Sequence, residues 1–208
     1  MSESDKSEDK RYSGALAKAW EEIESRDLSD ISALSGGAVK GRTLEIDILD
    51  RRSIVDPESK EIIWADGSDM EDDLKVLLLH YLLGAEGKID DKWASYREFE
   101  GGNLYYSVFH GRAIMPLISS FGEDLEGFAK AGEAIGGSKV SRGDVSLNFR
   151  FFPFLLINIT LWEGDEEVPT SANIIFDSAT GRILPVEDLA HLSAELVRMI
   201  KASRSCTS

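Results

Sequence analysis

Apolar and polar residues recur along this chain with two distinct periods. Leu44, Ile46 and Ile48 alternate with Glu45 and Asp47, which is the period-two signature of a half-buried strand. Asp56-Pro57-Glu58-Ser59 supplies turn chemistry, so the pattern predicts a hairpin returning through Glu61–Trp64. Further on, Leu74, Leu77, Leu78, Tyr81 and Leu82 follow helical spacing. Ser68 and Glu71 have the separation of a capping box, Asp72 and Asp73 suit a positive helix N-terminus, and Gly84 can close the end. Val76, Leu79 and Leu83 fill the other flank, which predicts a central helix buried on most sides.

The same reading predicts a helix over Tyr12–Ser25, with Ala15, Leu16, Ala19 and Ile23 on one face. Gly36, Gly37 and Gly41 then loosen the chain. Trp93–Phe99 reads as extended, Leu104–His110 as a short helix ending at Gly111, and Leu117–Phe121 as another opened by Pro116. Asp124–Ile135 is helical up to Gly136-Gly137. Val145–Trp162, broken at Pro153, and Ser171–Asp177 form a second block of strands. Pro185 opens a last helix striped by Leu189, Leu192, Leu196 and Ile200. The expected class is α+β, with two blocks of mainly antiparallel strands packed with about five helices around one core. Residues 1–11 and 203–208 are expected to be disordered tails of a single domain spanning 12–202.

Composition narrows the functional classes. The 208 residues are 42% hydrophobic, enough for a substantial core. A formal net charge of −15 excludes a phosphate-backbone binder and disfavours anionic lipid, so neither nucleic acid nor membrane is expected as a partner. The longest apolar run, Phe151–Trp162, is too short to span a bilayer and carries Pro153, Asn158 and Thr160. The polar N-terminus has no signal-peptide core, and the single cysteine, Cys206, allows no intrachain disulfide. These features together predict a cytoplasmic protein.

The densest candidate chemistry is the acidic turn Glu163-Gly164-Asp165-Glu166-Glu167-Val168-Pro169 between two apolar strands, with Asp177 beyond it. Such carboxylates suit a hard cation or general acid–base work, and equally a solvated connection that blunts an edge strand. His110, beside Gly111-Arg112, has the chemistry of a ligand or proton acceptor, or of a structural donor at a helix end. Arg97, Arg112 and Arg150 are suited to an anionic ligand or to the surplus carboxylates. Tyr105-Tyr106-Ser107-Val108-Phe109 reads as a flat pocket wall or as core. No two histidines have metal-ligand spacing, so no metal site is expected. Ser35–Thr43 resembles a phosphate loop only superficially, because it leads into a strand rather than a helix.

Several pieces together have family character: Leu79-His80-Tyr81-Leu82, Arg97-Glu98-Phe99-Glu100-Gly101-Gly102, Phe109-His110-Gly111-Arg112, and above all Leu161-Trp162-Glu163-Gly164-Asp165-Glu166-Glu167-Val168-Pro169. Phe176-Asp177 and Leu184–Leu189 continue the pattern. Over about residues 12–200 the chain resembles the prokaryotic family catalogued as domain of unknown function 3786, found largely in anaerobes. The resemblance implies context more than chemistry: some relatives carry a cysteine-rich iron–sulfur module, which points to corrinoid or one-carbon metabolism, and this chain has none. The resulting expectation is a small-molecule or cofactor-handling accessory domain, its ligand site made by Arg97, His110, Arg112, Trp162, Glu163 and Asp165, with the cofactor unspecified. A metal-assisted or acid–base hydrolase using the acidic hairpin and a protein–protein interaction module stand as alternatives.

Overall fold

In the computed structural model, residue 14 and residues 16–204 are described; the expected tail 1–11 lies outside them, as does the end of the chain from 205. The chain divides into two compact units, Met1–Lys88 and Ile89–Ser208. The class is α+β, with one antiparallel sheet of four strands and one of five.

In the first unit, helix α1 (residues 16–24) buries Ala19, Trp20 and Ile23. A second helix, α2 (Leu28–Ser35), follows in a stretch to which the sequence pattern assigned no element, just before the glycines at 36 and 37. Its N-cap is Asp27, whose carboxylate accepts the Ser29 N–H at 2.7 Å and is thereby held below the usual carboxylate range. Gly36, at φ 77°, ends it in the left-handed conformation.

The sheet is a meander of β1 (Ala38–Lys40), β2 (Thr43–Ile48), β3 (Arg51–Asp56) and β4 (Glu61–Trp64). The strand expected over 44–48 is present, with its odd and even faces as predicted. It pairs with β3, not directly with β4. Strand β3 escaped the sequence reading because it opens with two exposed arginines and buries only Ser53 and Val55.

Helix α3 (Asp72–Gly84) buries Leu74, Val76, Leu77, Leu78, Leu79, Tyr81 and Leu82, as its mixed apolar pattern predicted. The expected capping box is absent. Glu71 is the N-cap without a side-chain cap, and Ser68 instead bonds Asp66 through both its N–H and its hydroxyl. The Tyr81 hydroxyl reaches across to donate to Ser35 O at 2.8 Å, tying α3 to α2.

In the second unit the strand order is β5 (Trp93–Ser95), β9 (Ser171–Asp177), β8 (Leu155–Trp162), β7 (Val145–Phe152) and β6 (Ser138–Lys139), all antiparallel. Pro153 lies in the turn between β7 and β8, which is why the long apolar run breaks there. Residues Ile157–Leu161 of β8 are all buried, so both faces of the sheet are covered. The polar members of that strand are satisfied internally: Asn158 donates to Ser146 Oγ and Asn148 Oδ1, both at 2.8 Å, and accepts from Thr160 Oγ1 at 2.9 Å.

Helix α6 (Leu125–Glu133) packs on β7, and α8 (Val186–Arg204) packs on α4 (Gly102–Phe109) and α6. A one-turn helix, α7 (Thr180–Ile183), lies between β9 and α8. The expected stripe of Leu189, Leu192, Leu196 and Ile200 on α8 is buried. The break expected after His110 does not occur. Instead α4 runs through a π-helical turn, His110–Ile114, into α5 (Met115–Phe121), so one helical segment spans 102–121. Gly111 lies inside this segment and does not end it. Among the described residues, no helix is long and apolar enough to cross a membrane.

Candidate functional site

The site-bearing element is the segment α4–π–α5, preceded by a tight corner. Strand β5 ends at Ser95, where a capping box forms: Glu98 Oε1 accepts the Ser95 N–H at 2.7 Å as the chain enters the 3-10 turn Tyr96–Glu98. That turn buries Tyr96 and leaves Arg97 exposed. Tyr96 stacks on Phe109 with ring centres 4.2 Å apart and planes within 8°, and its hydroxyl donates to Val186 O at 2.7 Å. Phe109 is therefore core, whereas Tyr106, one turn earlier, is half-buried.

Here the chain builds a small platform. The Arg97 guanidinium lies 3.6 Å over the centre of the Tyr106 ring. His110, four residues along the helix from Tyr106, has its ring 5.8 Å from the same ring. Among the described residues no salt bridge engages Arg97 or Arg112. An arginine that stacks on an aromatic ring keeps its edge N–H groups available, and those donors match a carboxylate or phosphate. Arg112 is exposed, two residues beyond His110 in the π-turn. Arg150 is exposed too, and its guanidinium donates to the Pro153 carbonyl at the β7–β8 turn.

The acidic hairpin is built differently. Asp144 accepts the Glu163 N–H at 2.8 Å, and Thr170 Oγ1 accepts the Gly164 N–H at 3.1 Å while donating to Gly122 O. Asp165 accepts the Val168 and Glu167 N–H groups at 2.8 Å each, and these two bonds hold its carboxyl below the usual carboxylate range. Asp165 thus folds its own loop, while Glu163, Glu166 and Glu167 are exposed. Trp162 is partly exposed and lies against Gly143 in the preceding turn.

The structure therefore groups the expected residues in two places within the second unit. Arg97 and His110 each contact the Tyr106 ring, while Arg112, two residues beyond His110 in the same turn, does not share the face of His110. Trp162, Glu163 and Asp165 belong to the loop anchored at Gly122, twelve residues farther along the helical segment from His110, or roughly 18 Å at the rise of a helix. Asp177 leaves the acidic group altogether. It is buried at the far end of β9, about 20 Å from Ser171, accepting the N–H groups of Asp90, Lys92 and Ala179.

A concavity of about 640 Å³ beside Gly122 and Thr170 contains Arg204, but that guanidinium already donates to Ser120 O and Asp124. Among the described residues, no three His, Cys, Asp or Glu side chains are grouped to hold a metal ion. The residue that organises the platform, Tyr106, was visible in the sequence only as part of an aromatic stretch. Its i, i+4 relation to His110, both inside the helix expected over Leu104–His110, was the available signal.

The model of the family described as Domain of unknown function (DUF3786) matches residues 27–199, so the chain belongs to that family. The match opens at Asp27, the N-cap of α2, leaves α1 outside, and covers both the platform and the acidic hairpin. No curated protein and no solved structure matches the chain.

Proposed function

We propose that this DUF3786 chain is a ligand-handling domain whose ligand is a small anion with a planar part, bound at Arg97, Tyr106 and His110. The observation that carries the reading is the Arg97 guanidinium stacked at 3.6 Å on Tyr106 without a carboxylate partner among the described residues, in a chain with fifteen more acidic than basic side chains. Where carboxylates are in such excess, an arginine left without one keeps its donors for an incoming anion. His110 adds a ring nitrogen on the same Tyr106 ring. The corrinoid-linked, one-carbon accessory role offered by the family resemblance fits this ligand class, because such cofactors present both planar rings and anionic groups.

The hydrolase alternative gains less support. General acid–base work needs a carboxylate that changes protonation during turnover, and Asp165 is held ionised by its own loop.

The reading is tested by following the Arg97 side-chain N–H and the His110 ring resonances while pyrophosphate or nicotinate is added. Both sets should shift with one saturation curve, and Arg97→Ala should abolish the His110 shift. Resonances that do not move with either probe would overturn the assignment.

A further inference from the structure

The helical segment that carries the platform also presents a second face. Leu104 is 85% exposed, Met115 50% and Val108 38%. With Gly111 they fall at positions 104, 108, 111 and 115, spacings of four, three and four, which form a continuous seam of the kind a second helix packs against. Gly111 gives the seam its second observation. A methyl group placed there would meet no atom within 4 Å, and the residue lies in the π-turn rather than in a left-handed cap. Nothing among the described residues requires a glycine at this position, where it weakens the helix. A bare backbone in the middle of an exposed apolar seam is instead what allows another helix axis to come close.

Charge selects the occupant. Residues 101–122 contain no Asp or Glu, the longest such run in a sequence with 38 of them. Arg112 is the charged side chain that residues 102–121 themselves carry, and it engages in no salt bridge among the described residues; Glu187, from α8, borders the Leu104 end of the seam through its hydrogen bond with the Tyr105 hydroxyl. A second copy packed symmetrically about Gly111 would bring Arg112 against its own counterpart. We infer that this seam docks an amphipathic helix of a partner protein, with an apolar stripe that covers Leu104, Val108 and Met115 and with acidic flanks that meet Arg112. Glu187 at Tyr105 confines that acidic contact to the Arg112 end of the seam, while carboxylates more than a Debye length away, about 8 Å at physiological salt, repel such a helix only weakly because they are screened.

The test uses the full chain and a synthetic three-heptad helix with leucine and alanine in the seam and glutamate on both flanks, beside a twin with lysine flanks. Fluorescence anisotropy should show the glutamate peptide binding at least about tenfold more tightly than its twin, and less tightly as salt is raised. Gly111→Leu and Leu104→Asp should each weaken binding by about tenfold or more while the thermal midpoint of Gly111→Leu does not fall. Arg112→Glu, which leaves the seam intact, should reverse the preference between the two peptides. Absence of binding to either peptide, equal binding of both, or undiminished binding by Gly111→Leu would overturn the proposal. So would sedimentation showing a wild-type dimer that Leu104→Asp dissociates, since a second copy would then be the occupant.

Discussion

At the residue scale, the same chemical group serves opposite ends here according to what surrounds it. Asp165 and Asp177 are both carboxylates that the sequence makes conspicuous, yet Asp165 caps an exposed loop and Asp177, from a buried position, ties residues 90–92 to the turn after β9. Composition and spacing show that carboxylates are dense, but not which N–H groups they face, because two of the three donors to Asp177 lie more than eighty residues away.

Tyr96 gives the residue scale a pH signature. Burial, followed by the negative charge of Glu187 and by Tyr105, pushes its hydroxyl from 10.0 up to about 12. The folded state thus holds this proton more tightly than the unfolded chain does. Its contribution is complete below pH 10 and is lost as pH rises through about 12. Tyr96→Phe is expected to cost about 1 kcal/mol near neutrality through the bond to Val186 O, and to flatten the alkaline loss of stability. Urea denaturation of both proteins across the alkaline range checks this; identical pH slopes would contradict it.

At the element scale, what was legible followed the apolar period, and what was missed lacked one. Strand β2, helix α3 and helix α8 carry strong patterns, and each formed where its pattern placed it. Strand β3 and helix α2 are short and mixed in polarity, and the Asp27 and Gly36 caps were the only signs of α2. The capping-box motif misled at Ser68 and went unnoticed at Ser95, where the helix that follows is a single 3-10 turn, Tyr96–Glu98. Gly111 read as a helix end because glycine usually is one. The chain instead continues through a π-turn, which keeps Arg112 and Met115 on the same segment as Leu104.

Two glycines separate these meanings by experiment. Gly111→Ala meets only open space and should stabilise the protein by about 0.5–1 kcal/mol through the ordinary helix preference. Gly132→Ala, on α6, would push a methyl group into Leu147 and to 3.1 Å from the Phe149 ring, and should destabilise by about 1–3 kcal/mol. Thermal denaturation of the two variants should therefore move in opposite directions, and movement in the same direction would refute the assignment of one of them.

At the scale of the whole molecule, the α+β class and the two antiparallel blocks were readable from strand patterning alone, and the family match covers the bulk of both compact units. The candidate site was legible only in its parts. Arg97 and His110 were identifiable as unusual residues in an acidic chain, but the contact of Arg97 with Tyr106 depends on the corner at Ser95, which is not a pattern of hydrophobicity. The acidic loop, which dominates the sequence visually, is anchored at Gly122 away from that meeting point.

Binding of an anionic ligand by Arg97 and Tyr106 is tested by native mass spectrometry of the protein purified from the cells that normally make it. The wild type should carry a stoichiometric extra mass that Arg97→Ala and Tyr106→Ala, prepared identically, have lost. A clean mass for the bare wild-type chain, or an added mass that both variants retain in full, would contradict the account.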